Sequence, residues 1–250
     1  MFAVRRGGSQ ARIPLPQEPV WLTGNLDADW SKELSQCAAL VHLAAAGVNR
    51  QKPDWDEFLE VNVRQSLHLW RQAAKAGVKR LVICGSCFEY GRSGERYELI
   101  PPDAPLEPVN AYGASKAAAT ALALALAVEQ KIELLVLRPF HAFGEGEAES
   151  RFWPSLRRSA RTGLDFPMTA GGQVRDFVPV ETVAERFAAA LERTDLRAGA
   201  PKIENVGTGR PQTLRAFAEF WWREWNAKGE LKIGAVPYRP NEVMRYVPKL

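Results

Sequence analysis

The sequence predicts an α/β fold of the doubly wound type, in which a parallel sheet is covered by helices on both faces. Short apolar segments alternate with longer helical patterns, and these segments are apolar throughout rather than at every second residue. Strands buried on both faces have this pattern. The predicted strands are FAVR near Phe2, VWL at Val20, ALVHLA at Ala39, RLVICGS at Arg80, IELLVLRPF at Ile132 and KIENVG at Lys202.

Apolar periodicity and end residues mark the helices between these strands. The clearest helix runs from about Asp54 to Ala76 and ends at Gly77, because glycine readily adopts the left-handed conformation that terminates helices. Further helices are predicted to begin near Tyr112, Phe152, Glu181 and Thr213.

Composition limits the classes of protein and partner. The 250 residues, 46% of them hydrophobic, suffice for one core or for one core with a small lobe. The net charge is +4 with scattered basic residues, which predicts no nucleic-acid partner. Three cysteines and no signal peptide favour a reducing, cytoplasmic setting. The apolar run from Ala117 to Val128 is shorter than the about 20 residues that span a bilayer, which predicts a buried or interface helix and no membrane contact.

Small or polar residues follow three predicted strands at the point where each strand ends. Ser86 follows RLVICG, His141 follows LLVLRPF, and residues 44–47 follow LVHL. Ligands of open parallel sheets bind at the carboxyl ends of the strands. We therefore expect these three loops to form one cleft.

Tyr112 and Lys116 are four residues apart at the start of a predicted helix, so they share a helix face. A free phenol has a pKa of about 10, and a neighbouring ammonium lowers that value. Tyr112 can then exchange a proton with a substrate oxygen, which Ser86 would hold. An ordinary first helical turn explains the pair equally well on these residues alone.

Six segments, in chain order, resemble the extended short-chain dehydrogenase/reductase family in its nucleotide-sugar epimerase, dehydratase and reductase branch. They are ALVHLAAAG, VNVRQSLHLWRQAAKAGVKRLVICGSCFEYG, VNAYGASK, LRPFHAFGEGE, GGQVRDFVPVETVAERFAAAL and NVGTGRPQTLRAF. The resemblance implies a Rossmann-like sheet with a small substrate-binding lobe. Residues 1–250 would form one catalytic unit, with the core mainly in 1–140 plus 175–206 and the lobe mainly in 141–174 and 207–250.

The resemblance also implies roles for four residues in catalysis. Tyr112 would be the acid/base, and Lys116 would lower its pKa and hold a ribose hydroxyl. Ser86 would hydrogen-bond the reacting oxygen. Asn62 matches a mid-helix asparagine tied to the proton relay of many relatives, or it is a plain surface residue on a helix.

The same resemblance implies ligands and the residues that hold them. The cofactor would be NAD or NADP, bound by Arg5, Arg6, Asn25, Leu26, Ala44, Ala45, Lys116 and Pro139. The substrate would be a nucleotide-diphosphate sugar, bound by Ser86, Cys87, Phe88, His141 and Arg175. Arg175 would meet the diphosphate or form a surface ion pair with Asp176, and His141 would touch the sugar or fill its loop. A homodimer packed through the Tyr112-bearing helix is implied, and no metal.

The sequence departs from the family pattern at both ends. Relatives place a Gly-x-x-Gly-x-x-Gly turn after their first strand, where a helix N-terminus receives the pyrophosphate. FAVR instead resembles their second strand, and RRGGSQAR has the wrong glycine spacing, so we expect the sheet to be incomplete at the N-terminus. The closing segment after YRPNEVMRYVPKL is also missing. Either the start is misassigned or the chain is a fragment, or it is truncated with impaired cofactor binding.

Residues at two strand ends bear on the cofactor and the reaction. Arg5 and Arg6 follow a strand where an arginine suits a 2′-phosphate, which favours NADP over NAD. Dehydratases of this branch carry Thr-Asp-Glu where this chain has Ser86, Cys87 and Phe88, so the acid pair that eliminates water is missing.

The predicted function is therefore a nucleotide-sugar epimerase or 4-keto-reductase. The main alternative is a non-catalytic or cofactor-impaired binding or scaffold protein, because the glycine-rich loop is missing. A redox site at Cys84 and Cys87 is disfavoured, because sequence typical of a loop rather than a helix follows them.

Overall fold

A computed structural model describes residues 1–47 and 54–250 as an α/β protein with parallel strands, which confirms the predicted fold class. In chain order the strands are β1 Phe2–Arg5, β2 Val20–Thr23, β3 Ala39–His42, β4 Arg80–Cys84, β5 Glu133–Pro139, β6 His141–Phe143, β7 Phe166–Met168, β8 Val174–Arg175, β9 Phe177–Pro179, β10 Lys202–Val206, β11 Gln212–Thr213, β12 Leu231–Ile233 and β13 Arg245–Tyr246.

Each predicted helix is present, and the short helix Ser31–Leu34 was not predicted. The helices are α1 Ser31–Leu34, α2 Trp55–Phe58, α3 Ser66–Lys75, α4 Ala111–Glu129, α5 Phe152–Thr162, α6 Val180–Ala190 and α7 Leu214–Glu224. A π-helix, Leu59–Gln65, joins α2 to α3, so the helix predicted over 54–76 is present with a widened middle. Short 3₁₀ turns cover Cys87–Glu89 and Arg92–Arg96.

The main sheet has four parallel strands in the order β10, β5, β4, β3. Alternate residues of its central strands enter two different hydrophobic clusters. Leu81 and Ile83 of β4 pack with α3 and α4, whereas Val82 of the same strand packs with Phe187 and Ala190 of α6. Because consecutive side chains of a strand point to opposite faces, helices cover both faces of this sheet.

β1 and β2 form a separate parallel pair. As the sequence predicted, the sheet is interrupted: within residues 1–47 and 54–250, β1 pairs only with β2 and β3 only with β4. The Gln72 side chain ties the loop after β2 to α3, since it accepts from Trp30 N (2.9 Å) and donates to Ala28 O (2.9 Å). Trp30 and Leu22 therefore share one apolar cluster with the main sheet.

The helix α4 is long and apolar enough to cross a membrane by length and composition alone. Half of its apolar stretch is buried inside the protein, where Ala119, Ala123 and Ala127 pack with α3 and the sheet. A core helix of a globular protein passes the same test, and the packing of α4 is that of such a helix, in line with the sequence expectation of a buried or interface helix.

The second half of the chain adds short strands that the sequence patterns do not reveal. β6 pairs with β9, β7 with β12, and β8 with both β11 and β13. Aromatic side chains of α5, β7 and α7 fill the apolar cluster beneath them, with Trp221 stacked on Trp225. The division into a core and a lobe stays a prediction; the separate apolar clusters of the two parts support it.

Candidate active site

The Ser86 loop begins where β4 ends and is shaped by a capping box. Ser86 is the N-cap of the turn Cys87–Glu89: its hydroxyl accepts from Phe88 N (3.2 Å), and the Glu89 carboxylate accepts from Ser86 N (2.7 Å). This reciprocal arrangement pairs backbone donors that a short turn cannot pair by itself. Ser86 is thereby fixed at the carboxyl edge of the sheet, where the sequence predicts it.

Tyr112 is brought to Ser86 by a close approach between two elements. α4 begins after Asn110, whose side chain caps the helix by accepting from Gly113 N (2.8 Å). A Cβ at Gly113 would lie 2.5 Å from Phe88 O, so only glycine lets the first turn of α4 pack against the Ser86 loop. The Tyr112 ring packs edge-on against Phe88, with centroids 6.1 Å apart.

The pKa of Tyr112 does not follow the sequence prediction. Burial is the largest influence and raises the pKa of this phenol above its ordinary value, while the neighbouring Ser86 side chain acts to lower it. Desolvation of the phenolate outweighs the favourable effects, so the pKa of Tyr112 is raised and not lowered in this arrangement. The contribution of Lys116 to this pKa stays a prediction. The role of Tyr112 as acid/base stays a prediction.

Lys116 lies one turn further along α4 and is only 6% exposed. Its ammonium influences the pKa of both His42 and Glu89, which places it between the loops after β3 and β4. Among residues 1–47 and 54–250, its ammonium has no hydrogen-bond or ion-pair partner. A largely buried ammonium without an acceptor is unusual, and it fits a ligand hydroxyl at this position.

Asn62 is 1% exposed, so the interpretation as a plain surface residue is wrong. Its Oδ1 accepts from Ala46 N (2.7 Å), and its Nδ2 donates to Ala46 O (3.1 Å) and to Ser115 Oγ (2.9 Å). The surrounding π-helix turns this side chain inward, and Ser66 Oγ supports the wide turn by donating to Val61 O (2.9 Å). Asn62 thus joins the loop after β3 to α4, and its link to a proton relay stays a prediction.

His42, at the end of β3, is a site residue that sequence reasoning missed. The Trp70 indole N–H, which can only donate, points at Nδ1 (2.8 Å), so Nε2 carries the proton and donates to Ala44 O (3.1 Å). Burial, with a smaller contribution from Lys116, lowers the pKa of His42 to about 4. A neutral imidazole therefore holds the backbone carbonyl of Ala44, one of the predicted cofactor residues. The available signal in the sequence was a histidine at the end of an apolar strand.

Two of the predicted substrate residues, Phe88 and His141, form an aromatic cluster with Tyr246 beside Ser86. Phe88 packs against His141 (5.8 Å between centroids) and Tyr246 (5.7 Å). Within the described residues, His141 Nδ1 and the Tyr246 hydroxyl are buried without a hydrogen-bond partner. Burial lowers the pKa of His141 well below its ordinary value, so the ring is neutral. Tyr246 was missed because β13 reaches the site only through tertiary pairing.

Cys87 is 2% exposed, and burial raises the pKa of its thiol to about 12. Burial raises the pKa of the Cys84 thiol as well. Both therefore remain protonated at neutral pH, whereas the thiolate is the reactive form of cysteine. These environments argue against the redox alternative.

Arg175, in β8, is buried rather than part of a surface pair. It donates to Glu242 Oε1 (2.8 Å), Val243 O (2.7 Å) and Val174 O (3.0 Å). The alternative pair with Asp176 is wrong, because the Asp176 carboxylate instead accepts from the backbone and hydroxyl of Thr208. Contact with a diphosphate stays a prediction and requires the Glu242 contact to be exchanged.

The remaining predicted cofactor residues lie at the carboxyl ends of β1, β2 and β5. Arg5 stacks over the Trp21 ring (4.7 Å), whereas Arg6 is exposed. Asn25 is exposed and its carbonyl accepts from Trp30 Nε1 (3.0 Å), while Leu26 packs against the core cluster. Pro139 ends β5 opposite Val206.

The described residues fit one half of a dinucleotide. The loop of Ala44 and Ala45, the unpaired Lys116 ammonium and the Ser86–Tyr112 pair together suit a nicotinamide riboside. Within residues 1–47 and 54–250, the glycine turn after β1 has Gly7 and Gly8 and is not followed by a helix that could receive a pyrophosphate. The described residues therefore fit the nicotinamide end of the cofactor.

One protein family matches this sequence over most of its length. The sequence profile of the "NAD dependent epimerase/dehydratase family" matches residues 5–207. A putative UDP-arabinose 4-epimerase of Arabidopsis thaliana is 26% identical over 193 residues, covering 68% of this chain and 42% of that protein. The GDP-6-deoxy-D-mannose reductase of Pseudomonas aeruginosa is 28% identical, covering 84% of this chain and 69% of that protein.

Solved structures agree in fold. MoeE5, in complex with UDP-glucuronic acid and NAD, superimposes with a TM-score of 0.82 at 25% identity, covering 100% of this chain and 81% of that one. The chain spans about half the length of the curated relatives that it matches, 42% for one Arabidopsis protein and 54% for another.

Proposed function

The chain belongs to the NAD-dependent epimerase/dehydratase family, and from this premise we propose that it acts on a nucleotide-diphosphate sugar as an epimerase or 4-keto-reductase. The observation that supports the proposal most is the convergence of Ser86, Tyr112 and Lys116 at one edge of the parallel sheet, where the Lys116 ammonium has no partner among the described residues. Names of relatives support the substrate class, since they include UDP-sugar 4-epimerases and a GDP-deoxysugar reductase.

The proposed roles follow from the chemistry of each side chain. Ser86 Oγ hydrogen-bonds the sugar oxygen that reacts, and the Tyr112 hydroxyl gives or takes the proton at that oxygen. Lys116 holds a ribose hydroxyl of the cofactor. A bound nicotinamide ring supplies the hydride chemistry at the sugar carbon. Because burial raises its pKa, the Tyr112 hydroxyl carries a proton at neutral pH, and this is the proton that a keto oxygen would receive.

Elimination of water is the least suited reaction of the family. It needs an acid and a base at the positions of Cys87 and Phe88. The Cys87 thiol stays protonated because burial raises its pKa to about 12, and Phe88 has no proton to exchange. Epimerisation and keto reduction require neither group.

NAD and NADP remain to be separated by experiment. The Arg5 guanidinium stacks over the Trp21 ring, so the exposed Arg6 is the better partner for a 2′-phosphate. We favour NADP on this ground, although the solved relatives MoeE5 and a Thermus thermophilus UDP-glucose 4-epimerase are NAD complexes. Calorimetric titration of both cofactors, reduced and oxidised, decides between them.

The test of the mechanism is Tyr112→Phe. Conversion of a panel of UDP- and GDP-linked sugars and their 4-keto forms is followed by NMR with added cofactor. The variant should lose turnover by about a hundredfold or more, since general acid–base catalysis contributes roughly 10²–10⁴-fold. Its cofactor affinity should stay within about twofold. The control is Tyr238→Phe, the same change at an exposed tyrosine; equal turnover of both variants contradicts the mechanism.

The second candidate is a binding or scaffold protein with impaired cofactor binding. Within the described residues, β1 and β3 each pair with only one other strand, which favours this candidate. In the same residues, β1 is not followed by a glycine-rich turn that leads into a helix, which favours it too. Micromolar binding of either nicotinamide cofactor to the chain rules this candidate out. Absence of binding together with an intact fold would support it.

A further inference from the structure

A buried carboxylate lies directly behind Ser86 and has no part in the reaction described above. Glu89 is 0% exposed, and its Oε1 accepts from Ser86 N (2.7 Å). Its Oε2 accepts from Arg138 Nε (2.8 Å), and Arg138 is itself 1% exposed. Burying such a pair is costly unless nearly every polar atom is satisfied.

The pair continues as a chain of buried hydrogen bonds. Arg138 Nη1 donates to the Tyr90 hydroxyl (3.0 Å), which in turn donates to Asn205 Oδ1 (2.7 Å). Asn205 Nδ2 then donates to Ile100 O (2.8 Å) and Lys249 O (3.1 Å). We call Ser86, Glu89, Arg138, Tyr90 and Asn205 the buried polar network; it joins the ends of β4, β5 and β10.

Packing leaves the carboxylate little freedom to move. A Cβ at Gly85 would lie 2.7 Å from Glu89 Oε1 and 2.8 Å from Arg138 Cγ, so the strand end passes directly over the ion pair. A hydrogen bond to an ionised acceptor is roughly twice as strong as a neutral one. The Ser86 amide is therefore held by a short, buried and charge-assisted bond.

We propose that Glu89 is a positioning residue whose carboxylate, by accepting the Ser86 N–H, holds the Ser86 hydroxyl in place beside Tyr112. Arg138 compensates the buried charge and anchors the carboxylate. The identity of the atom that Ser86 holds rests on the proposed function, whereas the positioning itself does not.

Two double variants separate the effect of the hydrogen-bond acceptor for the Ser86 amide from the effect of the buried charges. Glu89→Gln with Arg138→Met removes both charges and keeps an oxygen for the Ser86 amide. Glu89→Leu with Arg138→Met removes the oxygen as well. If Glu89 only stabilises the core, the two variants should behave alike; if it positions Ser86, only the leucine variant should loosen the loop.

The readout is the neighbouring Cys87, which is 2% exposed. Its alkylation by N-ethylmaleimide, followed by peptide mass spectrometry, reports opening of the Ser86 loop without any assay of turnover. We expect the leucine variant to label about tenfold faster or more, because an unpaired buried amide costs about 1–3 kcal/mol. The glutamine variant should stay within about twofold of the unmodified protein.

The matched control is the Arg80–Glu133 pair, which joins the opposite ends of the same two strands (2.7 Å). Glu133→Leu with Arg80→Met should leave Cys87 labelling unchanged. Equal labelling of the glutamine and leucine variants, or an equal rise in this control, overturns the proposal. If the leucine variant does not fold, hydrogen exchange of the unmodified protein decides: the Ser86 amide should be protected as strongly as that of Ile83, and fast exchange overturns the proposal.

Turnover gives an independent comparison. Where the unmodified protein converts a sugar nucleotide, the leucine variant should lose kcat by about tenfold or more with cofactor KM within about twofold, because Ser86 meets the reacting oxygen and not the cofactor. A fall in affinity with unchanged kcat contradicts the proposal. A protein without turnover but with the expected labelling pattern would refute only the proposed function.

Discussion

At the scale of single residues, buried polar groups decide how the loops at the sheet edge are held. His42 fixes the carbonyl of Ala44 through Nε2, and Asn62 fixes both backbone groups of Ala46. Both interactions hold the backbone of the residues that directly follow β3. These side chains act on backbone rather than on ligand, so their effect on function is through position.

The lowered pKa of His42 predicts how the free energy of unfolding depends on pH. Its pKa is about 4 in the fold and about 6.5 in an unfolded chain, so the fold favours the neutral ring. The contribution of the neutral ring to the free energy of unfolding should be fully present above pH 6.5. It should be lost as the pH falls towards 4, and the loss should be on the order of 3 kcal/mol.

The measurement compares urea unfolding between pH 4 and pH 7 for the unmodified protein and His42→Gln. The amide can still accept from Trp70 and donate to Ala44, but it does not titrate. The variant should therefore show a flatter pH dependence. His68→Gln, the same change at an exposed histidine of α3, should leave the dependence as it is; equal slopes for both variants contradict the assignment.

At the scale of elements, the start of α4 is set by its contact with the Ser86 turn. Asn110 caps the helix, and Gly113 allows Phe88 O to approach it. The helix thereby delivers Tyr112 and Lys116 to the strand ends. The Asn62 contact with Ser115 Oγ fixes the same turn of α4 from its other side.

Gly113→Ala tests this contact, because two effects oppose each other there. Alanine is favoured over glycine inside a helix by about 1 kcal/mol. The added Cβ would lie 2.5 Å from a backbone carbonyl, and such overpacking typically costs about 1–3 kcal/mol. We expect net destabilisation and faster labelling of Cys87, measured by thermal unfolding and alkylation. Gly7→Ala, with 4.0 Å to its nearest neighbour, is the control and should be neutral.

At the scale of the whole molecule, two parallel sheets and a set of short strands share a small number of apolar clusters. Within the described residues, β1 pairs with β2 alone and β3 with β4 alone. α4 exposes part of its surface, at Ala121 and at Val128, whose side chain is 56% exposed. This surface is where the predicted homodimer would form.

Ala121→Arg tests the dimer. An arginine at the centre of a packed helix face should convert the dimer to monomer, because a buried unpaired charge is costly. Leu164→Arg changes another exposed apolar residue, outside α4, and should not alter the mass. Sedimentation velocity across a concentration series measures both. A dimer that survives Ala121→Arg places the interface elsewhere, and a monomeric unmodified chain refutes the prediction.

The sequence by itself determined the six longer strands, the main helices and the family. Burial on both sheet faces requires continuous apolar runs, and helix ends require specific residues such as Gly77, so both leave local patterns. It also located Ser86, Tyr112 and Lys116, because the parallel topology brings the ends of consecutive strands to one edge.

Only the tertiary structure decided the environments of these residues. The raised pKa of Tyr112, the buried contacts of Asn62 and Arg175, the imidazole of His42 and the arrival of Tyr246 all depend on partners far away in the chain. Desolvation and hydrogen bonding act through space, and a local pattern of residues cannot encode which distant group removes the water.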